Sequence, residues 1–182
     1  MPTLFYVIGP SGAGKDSLLG HCRAALPDGA PLVFAHRYIT RPLEAGGENH
    51  VALTPAEFAT RQAHGAFCLH WDGNGLRYGI GTEVRDWLAA GLSVVVNGSR
   101  GYLDQASARF PDLVPVLITV QPEILRGRLE GRGRETAAEI ERRLTRAAAF
   151  TVTHPRLIRI DNSGPLDQGA AALLAVLQGQ SG

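Results

Sequence analysis

Lys15 is the one lysine of a 182-residue chain whose other seventeen fixed positive charges are all arginines. It stands in Gly9-Pro10-Ser11-Gly12-Ala13-Gly14-Lys15-Asp16-Ser17, a glycine-rich run that leads into a compact ammonium. The planar fork of a guanidinium does not fit inside a tight ring of amides, so arginine could not stand in for lysine there. Glycines let main-chain N–H groups turn inward, and the start of a helix adds partial positive charge. Residues 9–17 are therefore expected to cradle the phosphates of a nucleoside triphosphate. The usual pattern places a serine or threonine directly after the lysine to hold magnesium. Here that place is Asp16, with Ser17 one step later. Three roles are open to Asp16: a magnesium ligand together with Ser17, an orienting group for the acceptor, or a helix cap. A carboxylate suits magnesium, and its charge beside a triphosphate is best tolerated with the metal bound.

Arginine supplies the remaining phosphate chemistry. Arg37 and Arg41 stand four apart, a pair suited to bidentate capture of an acceptor phosphate. Arg126, Arg128, Arg132 and Arg134, with Arg142 and Arg143 further on, surround two glycines, Gly131 and Gly133. A charged, glycine-flanked segment between helices fits a lid that neutralises a transferring phosphoryl group and expels water. Asn97 follows an apolar strand at the edge where open α/β sheets bind ligands, and its amide can reach an acceptor hydroxyl. His36, His50 and His70 do not have the spacing of a metal site. Trp71 and Trp87 read as core residues.

The elements that must position these groups follow from hydrophobic periodicity. Strands are expected at 3–8, ending near 35, at 67–71, 77–80, 94–96, 114–120 and 157–160. Helices are expected at about 15–26, from Thr54, at 82–90, 103–109, from Pro122, from Thr136 and at 170–177. Thr54-Pro55-Ala56-Glu57 and Thr136-Ala137-Ala138-Glu139 have the residues of capping boxes. Short strands alternating with helices predict an α/β fold: a three-layer phosphate-loop kinase sandwich around a mainly parallel sheet. Residues 36–81 change character and read as a small inserted acceptor-binding subdomain, and 126–143 as the lid with its flanking helices. The whole of 1–182 is expected to form one kinase domain.

Composition bounds the possibilities. Hydrophobic residues make up 45% and charged residues 19%, as in ordinary globular domains. A net charge of +1 gives no reason to expect nucleic acid as a partner. Cys22 and Cys68 fit neither a metal pair nor a disulfide framework and read as free thiols. Without a long apolar span or a basic leader, no membrane partner is expected, and the cytoplasm is the expected compartment.

The motifs, taken together, resemble the guanylate-kinase-like branch of the nucleoside monophosphate kinases over nearly the whole chain. The matching segments are residues 9–15, Thr40-Arg41-Pro42, Tyr78-Gly79, Arg128-Leu129 and Arg132-Gly133. The resemblance implies that residues 9–17 bind ATP with Mg2+ and that Arg41 and Tyr78 hold the acceptor phosphate, with Arg37 sharing it. It also implies that Arg128 and Arg132 act in the lid, Arg132 on the nucleotide. The departures narrow the acceptor. Leu69 stands where guanylate kinases carry a glutamate that accepts from guanine, and an unpaired buried guanine donor would cost about 1–3 kcal/mol. His50 replaces a tyrosine that touches acceptor phosphate, and Val96-Asn97-Gly98-Ser99-Arg100 lacks the usual acidic residues.

Gly14-Lys15-Asp16-Ser17, residues 36–41, Glu48-Asn49-His50, residues 95–100 and Arg132-Gly133-Arg134-Glu135 are similar to the ribose 1,5-bisphosphate phosphokinases of bacterial phosphonate catabolism. That similarity implies ATP-dependent phosphorylation of a small phosphorylated sugar, ribose 1,5-bisphosphate, at its 1-phosphate, giving 5-phosphoribosyl 1-diphosphate. The residues alone leave open which end is attacked. The acceptor set becomes Arg37, Arg41, His50, Tyr78, Asn97, Arg134 and Arg143, and the catalytic set Lys15, Asp16, Arg128 and Arg132. Two alternatives remain at this point: a guanylate or other small-molecule phosphate kinase, and a kinase-derived interaction module without catalysis.

Overall fold

An unbroken run of aromatic and aliphatic residues, Leu4 to Ile8, makes a strand that is buried at every position. Ser93 to Asn97 makes another, buried from Val94 onward. Strands covered on both faces read as continuous apolar runs, which marks the centre of a parallel sheet. The computed structural model describes residues 1–45, 49–133 and 135–179. In chain order its elements are β1 (Leu4–Ile8), α1 (Lys15–Ala25), β2 (Leu32–Phe34), β3 (Arg37–Ile39), β4 (Val51–Ala52), α2 (Pro55–Ala63), β5 (Phe67–Gly73), β6 (Leu76–Gly81) and α3 (Glu83–Ala89). There follow β7 (Ser93–Asn97), α4 (Leu103–Arg109), β8 (Val114–Thr119), α5 (Pro122–Gly131), α6 (Ala137–Ala149), β9 (Ile158–Asp161) and α7 (Leu166–Leu177). The fold is α/β, with a five-stranded sheet in the order β2-β7-β1-β8-β9 and a four-stranded sheet in the order β4-β3-β6-β5.

The chain divides into two compact units. One comprises Met1–Tyr6 and Pro27–Val114. In it β2 runs parallel to β7, Leu32 opposite Ser93 and Phe34 opposite Val95. The four-stranded sheet lies between residues 37 and 81, with β3 and β5 both antiparallel to β6. Asn74 and Gly75, both at positive φ, turn β5 into β6, as an Asn-Gly hairpin requires. Thr54 caps α2 by accepting from the Glu57 N–H, and Pro55 takes the first helical position. That helix delivers Phe58 to a cluster with Leu53, Phe67 and Tyr38, and the Phe58 and Phe67 rings lie 4.7 Å apart. Strands β3 and β4, three and two residues long, were not among the expected elements. Segments so short carry no readable period.

The second unit comprises Val7–Leu26 and the chain from Pro115. Strands β8 and β9 pair in parallel, Val116 opposite Ile158 and Thr119 opposite Asp161. Leu125 and Leu129 of α5 pack on Ile140 of α6, with Leu144 and Ala147 against them. Thr136 and Glu139 close a reciprocal capping box at the start of α6. Helix α7 begins at Leu166, four residues before its expected start, because Gly169 disguises its first turn. Glycine costs about 1 kcal/mol inside a helix. Here it is needed, since a Cβ at Gly169 would lie 2.5 Å from Asn162 Oδ1.

Candidate active site

The glycine-rich run links the end of β1 to the start of α1. Gly12 and Gly14 adopt φ of 91° and 86°, a left-handed backbone that side-chain-bearing residues avoid. Lys15 is the first residue of α1, and its Nζ donates to the carbonyls of Gly9 at 2.9 Å and Pro10 at 3.1 Å. The ammonium is thus folded over the loop whose amides would receive a phosphate. Asp16 and Ser17 are exposed in the first turn of the same helix. Their carboxylate and hydroxyl oxygens fit magnesium, which keeps several waters and takes few protein ligands beside substrate phosphates. Among the described residues no group of three or more His, Cys, Asp or Glu forms a ready-made metal cage.

The arginines expected to form a lid take distinct places in the second unit. Arg143, expected among the acceptor groups, donates to the Ser11 hydroxyl of the glycine-rich loop at 2.7 Å and pairs with Glu135. Arg126 pairs with Glu141, tying α5 to α6. Arg132 is exposed just past the end of α5. Arg128 turns inward, donating to the carbonyls of Asn162 at 2.7 Å and Ala13 at 3.5 Å. Arg134 lies outside the described residues.

The acceptor candidates Arg37, Arg41, His50, Tyr78 and Asn97 all belong to the first unit. Tyr78 of β6 sits between β3 and β5. The Arg37 guanidinium lies 4.9 Å from its ring centroid, and Trp71 of β5 stacks on it at 5.6 Å, 5° from parallel. Tyr102 packs on Trp71 in turn, 5.6 Å away and tilted by 31°. Arg41 is held through its main chain: the buried His50, 4% exposed, places Nε2 3.1 Å from the Arg41 carbonyl. His36 Nε2 accepts from the Asn49 side-chain amide at 2.9 Å. Asn97, 7% exposed, ends β7.

Beyond Asn97 the chain is fastened by Tyr6 of β1. The Tyr6 hydroxyl accepts from the Ser99 N–H at 3.0 Å and donates to the Ser99 carbonyl at 3.3 Å. Its ring is fully buried, and a Cβ at Gly98 would collide with it. Burial holds the phenol proton well above the usual range. Leu69 is fully buried and stands opposite Ile80.

Tyr6, Trp71 and Asn162 were not singled out from the sequence as site residues. Tyr6 and Trp71 have the look of core aromatics, and only the bonds of the one and the stacking of the other show what they hold. Asn162 was findable. It directly follows β9, the last strand, and polar residues just past the carboxyl ends of parallel strands are worth inspecting.

No family model matches the chain. It is 56% identical over 177 residues to the ribose 1,5-bisphosphate phosphokinase PhnN of Desulfomicrobium baculatum, covering 97% of this chain and 95% of that protein. It is 54% identical over 174 residues to the enzyme of the same name from Thiobacillus denitrificans, covering 96% and 92%. Among solved structures, guanylate kinase from Anaplasma phagocytophilum superposes with a TM-score of 0.69, covering 98% of this chain and 86% of that one. At 17% identity that likeness speaks for the fold alone. More than half of the residues are shared with curated relatives along almost their full length, and on that ground the chain belongs to the ribose 1,5-bisphosphate phosphokinase family.

Proposed function

We propose that this protein transfers the γ-phosphoryl group of ATP to the 1-phosphate of ribose 1,5-bisphosphate, giving 5-phosphoribosyl 1-diphosphate and ADP. The observation that carries this reading is full-length membership in a phosphokinase family, with the sole lysine kept in the phosphate loop. An oxygen of the acceptor phosphate attacks the γ-phosphorus as the bond to the ADP oxygen breaks. The attacking phosphate is already anionic, so no strong general base is needed. The work falls to alignment and charge.

In this reading Lys15 and the loop amides hold the donor phosphates, and Arg132 and Arg143 neutralise charge during transfer. Arg37, Arg41, Tyr78 and Asn97 hold the acceptor, with His50 fixing the main chain of Arg41. Magnesium, held by Asp16 and Ser17 with the donor phosphates, would supply further charge neutralisation. Leu69 supports a sugar rather than a nucleobase, since a buried leucine offers no acceptor for ring N–H groups. ATP as donor implies an intracellular setting. No helix among the described residues is long and apolar enough to cross a membrane.

Coupled assays with ATP and magnesium against ribose 1,5-bisphosphate, GMP, AMP and gluconate test the reading, with phosphorus NMR to identify the product. Ribose 1,5-bisphosphate is expected to be the best acceptor. Faster phosphorylation of GMP would overturn the assignment. Asp16→Ser is expected to shift the magnesium concentration that half-saturates turnover. An unchanged titration would remove Asp16 from the metal's surroundings.

A further inference from the structure

Asn162 is 2% exposed. Its main-chain N–H donates to the Thr119 carbonyl at 2.8 Å, which extends the β8–β9 pairing by one residue. Its side-chain Nδ2 donates to the carbonyl of Ala13, inside the phosphate loop, at 2.7 Å. Its Oδ1 has no hydrogen-bond partner among the described residues. Burying an amide with one end unsatisfied is unfavourable, and an apolar residue of similar size would avoid that cost. What Asn162 offers in return is its bond to Ala13.

Two glycines leave room for this amide. A Cβ at Gly14 would lie 2.7 Å from Nδ2, and one at Gly169 would lie 2.5 Å from Oδ1. Arg128 completes the arrangement. Its guanidinium bonds the Asn162 carbonyl at 2.7 Å and reaches the Ala13 carbonyl at 3.5 Å. Both donors thus converge on one loop oxygen, and Arg128 also braces the residue that carries the other donor.

A trans peptide is planar, with its C=O and N–H pointing in opposite directions. Drawing the Ala13 oxygen toward Asn162 therefore turns the Gly14 N–H away from it. We propose that Asn162 and Arg128 are positioning residues for the donor: together they fix the Ala13–Gly14 peptide so that the loop amides are aimed before any phosphate arrives. Arg128 then acts on the loop's main chain rather than as a mobile lid group. The proposal rests on the donor-binding role given to the loop above, and it does not depend on which acceptor is used.

The test is calorimetric binding of magnesium-ADP and of magnesium tripolyphosphate to the full chain, together with steady-state KM for ATP and for ribose 1,5-bisphosphate. Asn162→Asp keeps the shape but faces the Ala13 carbonyl with an acceptor. Arg128→Met keeps the aliphatic stem and removes both bonds, and it serves should the buried aspartate prevent folding. Each variant is expected to bind both phosphate ligands about tenfold more weakly or worse. Acceptor KM should stay within about twofold of wild type, as selective loss of donor binding requires. Unchanged binding of tripolyphosphate in both variants, or equal losses toward donor and acceptor, would overturn the proposal. Failure of the wild-type chain to bind either ligand would instead sink the donor role of the loop, and the proposal with it.

Discussion

The indole of Trp71 lies face to face with the phenol ring of Tyr78, 5.6 Å between centroids and 5° from parallel. Arg37 approaches the same ring from the neighbouring strand. Aromatic and cation–π contacts of this kind are each worth about 0.5–1.5 kcal/mol beyond area burial. They leave the Tyr78 hydroxyl little freedom. Trp71→Leu is expected to raise acceptor KM several-fold while leaving KM for ATP unchanged, and Trp71→Phe should recover most of the loss. In a Trp87→Phe background, Trp71 emission should respond to added ribose 1,5-bisphosphate. Flat emission throughout the titration would place Trp71 away from the acceptor.

Lys15→Ala removes the one ammonium of the phosphate loop. Turnover is expected to fall by about 100-fold or more, as when a group aimed at transition-state charge is lost. Acceptor affinity, measured by direct binding, should change little. Near-normal turnover in the variant would remove Lys15 from the transferring phosphate.

Tyr6→Phe deletes a hydroxyl that serves both polar groups of the Ser99 main chain. The expected loss is about 1–3 kcal/mol of unfolding free energy, read from denaturant midpoints at constant slope. Acceptor KM should rise as well, because Asn97 lies two residues from Ser99. Gly98→Ala drives a methyl group into the Tyr6 ring, and overpacking of that kind costs about 1–3 kcal/mol or more.

Cys22 and Cys68 are buried, and burial pushes each thiol from an ordinary 9.0 up to about 11. Neither should react with iodoacetamide in the native protein near neutral pH, whereas both should react once urea unfolds the chain. The sign of the linkage follows. Above pH 9 the unfolded chain releases these protons first, so stability declines as pH rises from 9 toward 11. Rapid labelling of the folded protein near neutral pH would contradict the burial.

The elements with long, uniform patterns were readable from the sequence. β1 and β7 are unbroken apolar runs, and α2 and α6 open with Thr-Pro-Ala-Glu and Thr-Ala-Ala-Glu. The phosphate loop was equally plain, since lysine occurs nowhere else. What escaped was whatever depends on a partner distant in sequence. Arg128 stands in the expected catalytic set, but no local pattern announces its carbonyl partners Ala13 and Asn162. Asn162 gains its meaning from Ala13, 149 residues earlier. Arg143 is one of several arginines around the glycine-flanked run, and its bond to Ser11, 132 residues away, has no local signature.

Because the single ε-amine of this chain is drawn over the carbonyls of Gly9 and Pro10, amine chemistry has few places to go. Among amines, acylating reagents and active-ester dyes find only the N-terminal amine and Lys15. Labelling the terminus should spare the enzyme, and covering Lys15 with nucleotide beforehand should protect it. Within these 182 residues a lysine acetylation mark would have one address, and on the donor role proposed for Lys15 it is expected to lower ATP turnover.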